Sequence, residues 1–103
     1  METKEQMIMD PVQPLKEKLR KNTFNYELLL RSDFKALYKQ SDGNIQIGYE
    51  VFKIRIRETR FHPIANKVIT AKEKFPSNDD FGKTAWSYKR LEDAMKKYNS
   101  IKE

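Results

Sequence analysis

The sequence predicts an α+β domain: a five-stranded, mainly antiparallel, meander-like sheet with a C-terminal helix packed on one face and a short N-terminal helix. Three observations carry that expectation. The stretch Gly43–Arg57, GNIQIGYEVFKIRIR, is the longest β-like run in the chain. Asp42-Gly43 in front of it is a preferred two-residue hairpin loop, because a type I′ turn needs positive φ at both central positions. Leu91, Ala94, Met95, Tyr98 and Ile101 then follow i, i+3, i+4, i+7, i+10 spacing, the apolar stripe of an amphipathic helix.

In chain order, residues 1–13 show neither alternation nor a helical period and read as a flexible N-terminal arm, with residues 14–103 as a single domain. Pro14 is suited to a first helical turn, and Leu15 and Leu19 share one side of a short helix whose other positions are basic. Phe24, Tyr26, Leu28 and Leu30 alternate with polar residues, which predicts a first strand closed by Ser32-Asp33. Phe34–Gln40 and Ile45–Arg57 form the central hairpin. With Asp42-Gly43 as its loop, Tyr38 pairs with Ile47, Ala36 with Tyr49, Phe34 with Val51, and Lys35 with Glu50 as opposite charges across the strands.

The long run changes phase. Ile45, Ile47, Tyr49 and Val51 hold one parity, and Phe52, Ile54 and Ile56 the other, which predicts a bulge near Val51–Phe52. The alternative is a strand covered on both faces. Lys53, Arg55 and Arg57 then join Lys35 and Lys39 on a basic outer face. Phe61-His62-Pro63-Ile64 reads as a loop, Lys67–Phe75 as a fourth strand ended by Pro76-Ser77-Asn78-Asp79-Asp80, and Lys83–Tyr88 as a short fifth strand. On the last helix, Glu92–Lys96 and Asp93–Lys97 have the spacing of favourable i, i+4 pairs. Phe34, Val51, Ile54, Trp86, Leu91, Met95 and Tyr98 are the expected core.

A chain of 103 residues is long enough to bury about 65% of its unfolded surface without staples. Its 35% charged content and mean hydropathy of −0.87 imply a small core and a heavily solvated surface. The net charge of +6 favours an anionic partner: nucleic acid, an anionic surface or an acidic protein. With no cysteine, disulfides, thiolate metal sites and cysteine nucleophiles are excluded. No stretch has the length and apolarity of a membrane span or a signal peptide, which predicts a soluble protein.

Candidate chemistry is sparse. Gly82-Lys83-Thr84 has the tail of a phosphate-binding loop, but the pattern needs a glycine where Ser77 stands. His62 is the only histidine and reads as an ordinary loop residue. Glu50 could be a buried acid, although the hairpin register assigns it to Lys35. Trp86, Tyr49 and Tyr98 read as core aromatics rather than stacking platforms for bases. The basic segment stands above this background. From Lys53 to Lys74 there are seven basic residues (Lys53, Arg55, Arg57, Arg60, Lys67, Lys72, Lys74) and two acidic ones (Glu58, Glu73). Like charges in a row repel one another, so they call for acidic partners in the fold or an anionic ligand.

Phe24-Asn25-Tyr26-Glu27-Leu28, Ala36-Leu37-Tyr38, Tyr49-Glu50-Val51-Phe52, and Asp80-Phe81-Gly82 followed by Ala85-Trp86 together resemble a group of small bacteriophage and prophage proteins. The likeness runs from about Phe24 to Tyr98 through short motifs. It implies a phage or prophage setting and a small α+β domain, and it assigns no site.

The expected function is therefore non-enzymatic binding, without cofactor or metal. Lys53, Arg55, Arg57, Arg60, Lys72 and Lys74 are the candidate contacts to nucleic acid, read with little sequence specificity. The alternative partner is an acidic host protein, met by a phage-type effector with Phe61 or Tyr38 as an aromatic anchor. The expected setting is the cytoplasm of a bacterial host, as a monomer or small homo-oligomer without membrane association.

Overall fold

The computed structural model describes residues 12–57, 60–62, 67–69 and 71–103, with the backbone alone at 60–62 and 67–69. In chain order the strands are β1 (Lys18–Lys21), β2 (Phe24–Arg31), β3 (Lys35–Asp42), β4 (Ile45–Lys53), β5 (Arg55–Arg57), β6 (Arg60–His62), β7 (Lys67–Ile69), β8 (Lys72–Lys74) and β9 (Ala85–Tyr88). A 3-10 turn at Asn78–Asp80 precedes β9, and helix α1 (Leu91–Ser100) follows it. The contacts divide the chain into a larger unit, residues 16–55 with 75–103, and a smaller one, residues 56–74 with those up to Leu15.

The larger unit is the α+β core: a five-stranded antiparallel sheet in the order β9-β4-β3-β2-β1, with the C-terminal helix on one face. On the helix side, Leu37, Tyr49 and Val51 meet Ala94, Tyr98 and Ile101, with Phe34, Trp86, Tyr88 and Met95 packed around them. The opposite face is also covered. There Tyr38 stacks on Phe52 at 5.7 Å between ring centroids, and Phe75 meets the rings of Tyr26, Tyr38 and Phe52 at 4.7, 5.1 and 5.1 Å.

That second cover resolves the phase change in the long run. Val51 and Phe52 are each fully buried, on opposite faces, and their register with Leu37 and Ala36 is continuous. No bulge lies at Val51–Phe52. The extra residue is Ile47, since Gln40 pairs with Gly48 while Ser41 pairs with Gln46. A second irregularity sets Leu29 between the Leu28–Tyr38 and Leu30–Leu37 pairs. Gly48 follows the first bulge where β9 passes closely, and a Cβ there would lie 2.7 Å from the Tyr88 carbonyl oxygen.

The central turn also shifts by one residue. Asp42 pairs with Ile45, so Gly43-Asn44 is the loop, and Gly43 alone takes positive φ (62°), as at the first central position of a type II′ turn. Beyond the bulge at Ile47 the register pairs Tyr38 with Glu50 and Lys35 with Lys53, so Glu50 and Lys35 lie on opposite faces of the sheet.

The short N-terminal helix is replaced by strand. Lys18–Lys21 pairs antiparallel with Phe24–Glu27 through a two-residue turn at Asn22-Thr23, both at positive φ (54° and 70°), the type I′ signature. Two leucines gave that segment only a weak helical preference, and pairing with an aromatic strand overrides it. The expected fourth strand, Lys67–Phe75, does not enter the large sheet. Its residues form β7 and β8 of two ribbons, β6–β7 and β5–β8, while β1 supplies the fifth strand. In the smaller unit Gln13 runs parallel to β8, its N–H bonded to the Ala71 carbonyl (3.1 Å) and its carbonyl to the Glu73 N–H (2.8 Å).

Helix α1 begins with Glu92 and Asp93 in its first turn and ends at Ile101. Glu92 pairs with Arg90 rather than Lys96, and Lys97 places its ammonium 3.9 Å from the Trp86 ring centroid. Leu91, expected in the core, is 46% exposed.

Candidate nucleic-acid interface

The six candidate basic residues fall into distinct environments. Lys53 ends β4, half-buried, directly opposite Lys35. Arg55 is exposed, and its guanidinium lies 3.0 Å from Asp80 Oδ1. Asp80 is itself buried and accepts the Ser77 N–H at 2.9 Å, so Arg55 completes a structural cap on the 3-10 turn. Arg57 is half-buried, Lys72 exposed and Lys74 half-buried, and the strands that carry them pair as the β5–β8 ribbon. Arg60 opens β6, and only its backbone is described.

Within β8, alternation puts Lys72 and Lys74 on one side and Glu73 on the other. The Glu73 carboxylate accepts the Leu15 N–H at 2.9 Å. The ribbon thus brings together basic residues that lie far apart in the chain and directs the acidic residue between the two lysines toward the parallel segment at Gln13–Leu15.

A continuous basic outer face on the large sheet is not present. Lys35, Lys39 and Lys53 share the helix-side face with Leu37 and Val51 by register. Lys35 Nζ donates to the carbonyls of Tyr98 (2.7 Å) and Ile101 (3.5 Å) and lies 4.3 Å from the Tyr98 ring centroid. A cation placed on the orphan carbonyls of a helix C-terminus is stabilising, so its charge is committed to the fold. Lys39 is 3.6 Å from Glu27.

The phosphate-loop likeness stays set aside, and one of the two aromatic anchors is corrected. The backbone N–H groups of Lys83 and Thr84 both donate to the Asp80 carbonyl, at 3.0 and 2.9 Å, so this Gly-Lys-Thr turn does not aim them at a phosphate. Tyr38 is fully buried, with its hydroxyl on the Lys16 carbonyl at 2.6 Å, and cannot be an exposed anchor. The side chains of Phe61 and His62 lie outside the described residues. Among the described residues no group of three or more His, Asp or Glu could hold a metal ion, and no helix is long and apolar enough to cross a membrane.

Glu50 departs most from its sequence assignment. It is only 6% exposed on the face that Phe75 covers, and among the described residues its Oε1 has no hydrogen-bond partner. Its Oε2 lies 3.4 Å from the Tyr26 hydroxyl, long for an O–H···O bond, and that hydroxyl accepts from Gln40 Nε2 at 3.0 Å. Burial raises the Glu50 pKa above its ordinary 4.5, while the Tyr26 hydroxyl and the Lys21 charge pull it down. Burial, joined by the Glu50 charge, pushes Tyr26 up to about 12. The bulge at Ile47 hid this group, because the extra residue moved Lys35 and Glu50 onto opposite faces.

Comparison with protein-family models, curated proteins and solved structures finds no match to this chain.

Proposed function

We propose that this protein is a non-enzymatic nucleic-acid-binding protein that holds the phosphate backbone through the basic strands of its smaller unit, with little sequence specificity. The observation that supports this most is the β5–β8 pairing, which sets Arg57 beside the strand of Lys72 and Lys74. Lysine and arginine side chains on paired strands make a compact cationic strip, and phosphate contacts of that kind carry affinity without reading base edges. Arg57, Lys72 and Lys74 are the principal contacts in this reading, Arg60 a further one, and Lys53 a separate contact on the larger unit. Arg55 is bound to Asp80, so a phosphate contact from it would compete with the cap on the 3-10 turn. The setting that goes with the reading is the cytoplasm of a bacterial host, in a phage or prophage context.

The test is a neutralisation series. Arg57→Gln, Lys72→Gln and Lys74→Gln should each weaken binding to unrelated DNA and RNA sequences by a similar factor. A protein partner would instead survive nuclease treatment and lose affinity at one or two positions. Capture of a stoichiometric acidic protein after nuclease digestion, with no loss of binding across the series, would replace nucleic acid by that partner.

A further inference from the structure

Strand β1 is an edge of the large sheet, four residues long and basic at Lys18, Arg20 and Lys21. Lys18 and Arg20 are exposed, whereas Lys21 turns onto the opposite face, where its ammonium donates to the Pro76 carbonyl and lies 5.1 Å from the Phe75 ring centroid. The Phe75 ring packs on Tyr26, the neighbour of Glu50. A cation held by a neutral carbonyl and a ring therefore shares a covered face with a buried carboxyl that has an unpartnered oxygen.

We propose that Glu50 is a proton-operated latch on strand β1. With its carboxyl protonated, Glu50 rests against the Tyr26 hydroxyl, and Lys21 stays on the Pro76 carbonyl and the Phe75 ring. When the proton leaves, the buried carboxylate needs a cation, and Lys21 moves from Pro76 toward Oε1, changing how β1 is seated and how the exposed Lys18 and Arg20 are held.

The other groups on this face do not supply that charge. Tyr26 of β2 stays protonated across the neutral range and can only donate its single hydroxyl proton. Tyr38 of β3 gives its hydroxyl to Lys16, and Gln40 is spent on Tyr26. Strand β9 contributes Ala85 and Ser87, opposite Phe52 and Glu50, and the covering segment contributes Phe75 and Pro76, none of them titratable in this range. Arg31 bonds the Ser32 carbonyl, and Arg55 is paired with Asp80. Lys21 is the cation whose charge acts on Glu50.

The experiment follows the Glu50 side-chain carboxyl and the Lys21 side chain by carbon NMR from pH 4 to 9 on the full chain, with amide exchange of β1 measured in parallel. The expected result is a Glu50 midpoint above the usual carboxylate range, a Lys21 shift at the same midpoint, and a severalfold change in β1 exchange there. Glu50→Gln, close to isosteric with the protonated acid, should hold Lys21 and β1 in the low-pH state throughout. Lys21→Met should keep the raised midpoint and remove the β1 response. A Glu50 midpoint in the ordinary range, or a raised midpoint with Lys21 and β1 unmoved, would overturn the proposal.

Discussion

Single residues decide where this sheet is strained. Thr23 is a β-branched residue at φ 70°, a region costly for such side chains, and it persists because the β1–β2 turn needs positive φ at both positions. Thr23→Gly should therefore stabilise the protein by about 1 kcal/mol, the relieved strain outweighing the entropy a glycine adds to the unfolded chain, as a rise in denaturation midpoint at unchanged slope. Glu50 is the second strained position. Its folded-state pKa is raised above 4.5, so between that value and the folded midpoint the native state binds more protons than the unfolded chain. Stability should accordingly fall as pH rises through that window. Glu50→Gln should flatten that part of the pH–stability curve and leave the variant more stable at neutral pH, measured by urea unfolding at a series of pH values. An unchanged curve would mean that the carboxyl is solvated.

At the level of elements, the sequence made the central hairpin and the last helix legible and concealed how each is used. Alternation located Ile45–Lys53, but an alternating pattern cannot distinguish a bulge at Val51–Phe52 from a strand buried on both faces. What settles it is Phe75, which covers the second face and lies in a segment that reads only as the end of a strand. Lys35 shows the same limit: its role depends on a helix that follows more than fifty residues later, at Leu91–Ser100. Lys35→Met should loosen the C-terminal turn of α1 and cost about 1–2 kcal/mol, from the loss of charged hydrogen bonds to two helix carbonyls, checked by thermal unfolding and by amide exchange at Tyr98–Ile101. Gly48→Ala should cost about 1–3 kcal/mol by forcing β4 and β9 apart at Tyr88, with the exchange of β9 amides accelerated first.

For the whole molecule, composition indicated an anionic partner, and the fold ties several of the cations to groups within the chain. Several positions that looked like one basic face have internal duties: Lys35 on the helix end, Lys39 beside Glu27, Arg55 on Asp80. Charge count alone could not reveal this, because each partner comes from a distant part of the chain or from the facing strand. The β5–β8 ribbon was equally hidden, since Lys72–Lys74 read as part of a long fourth strand. In the proposed function Arg57, Lys72 and Lys74 contact phosphates. Equilibrium titration of a mixed-sequence DNA duplex over a range of monovalent salt concentrations tests it most directly. The logarithm of the association constant should fall linearly with the logarithm of salt concentration, and each of the substitutions Arg57→Gln, Lys72→Gln and Lys74→Gln should reduce the slope by about 1. Binding that is insensitive to salt, or a slope unchanged in the triple variant, would rule out phosphate contact by these three residues.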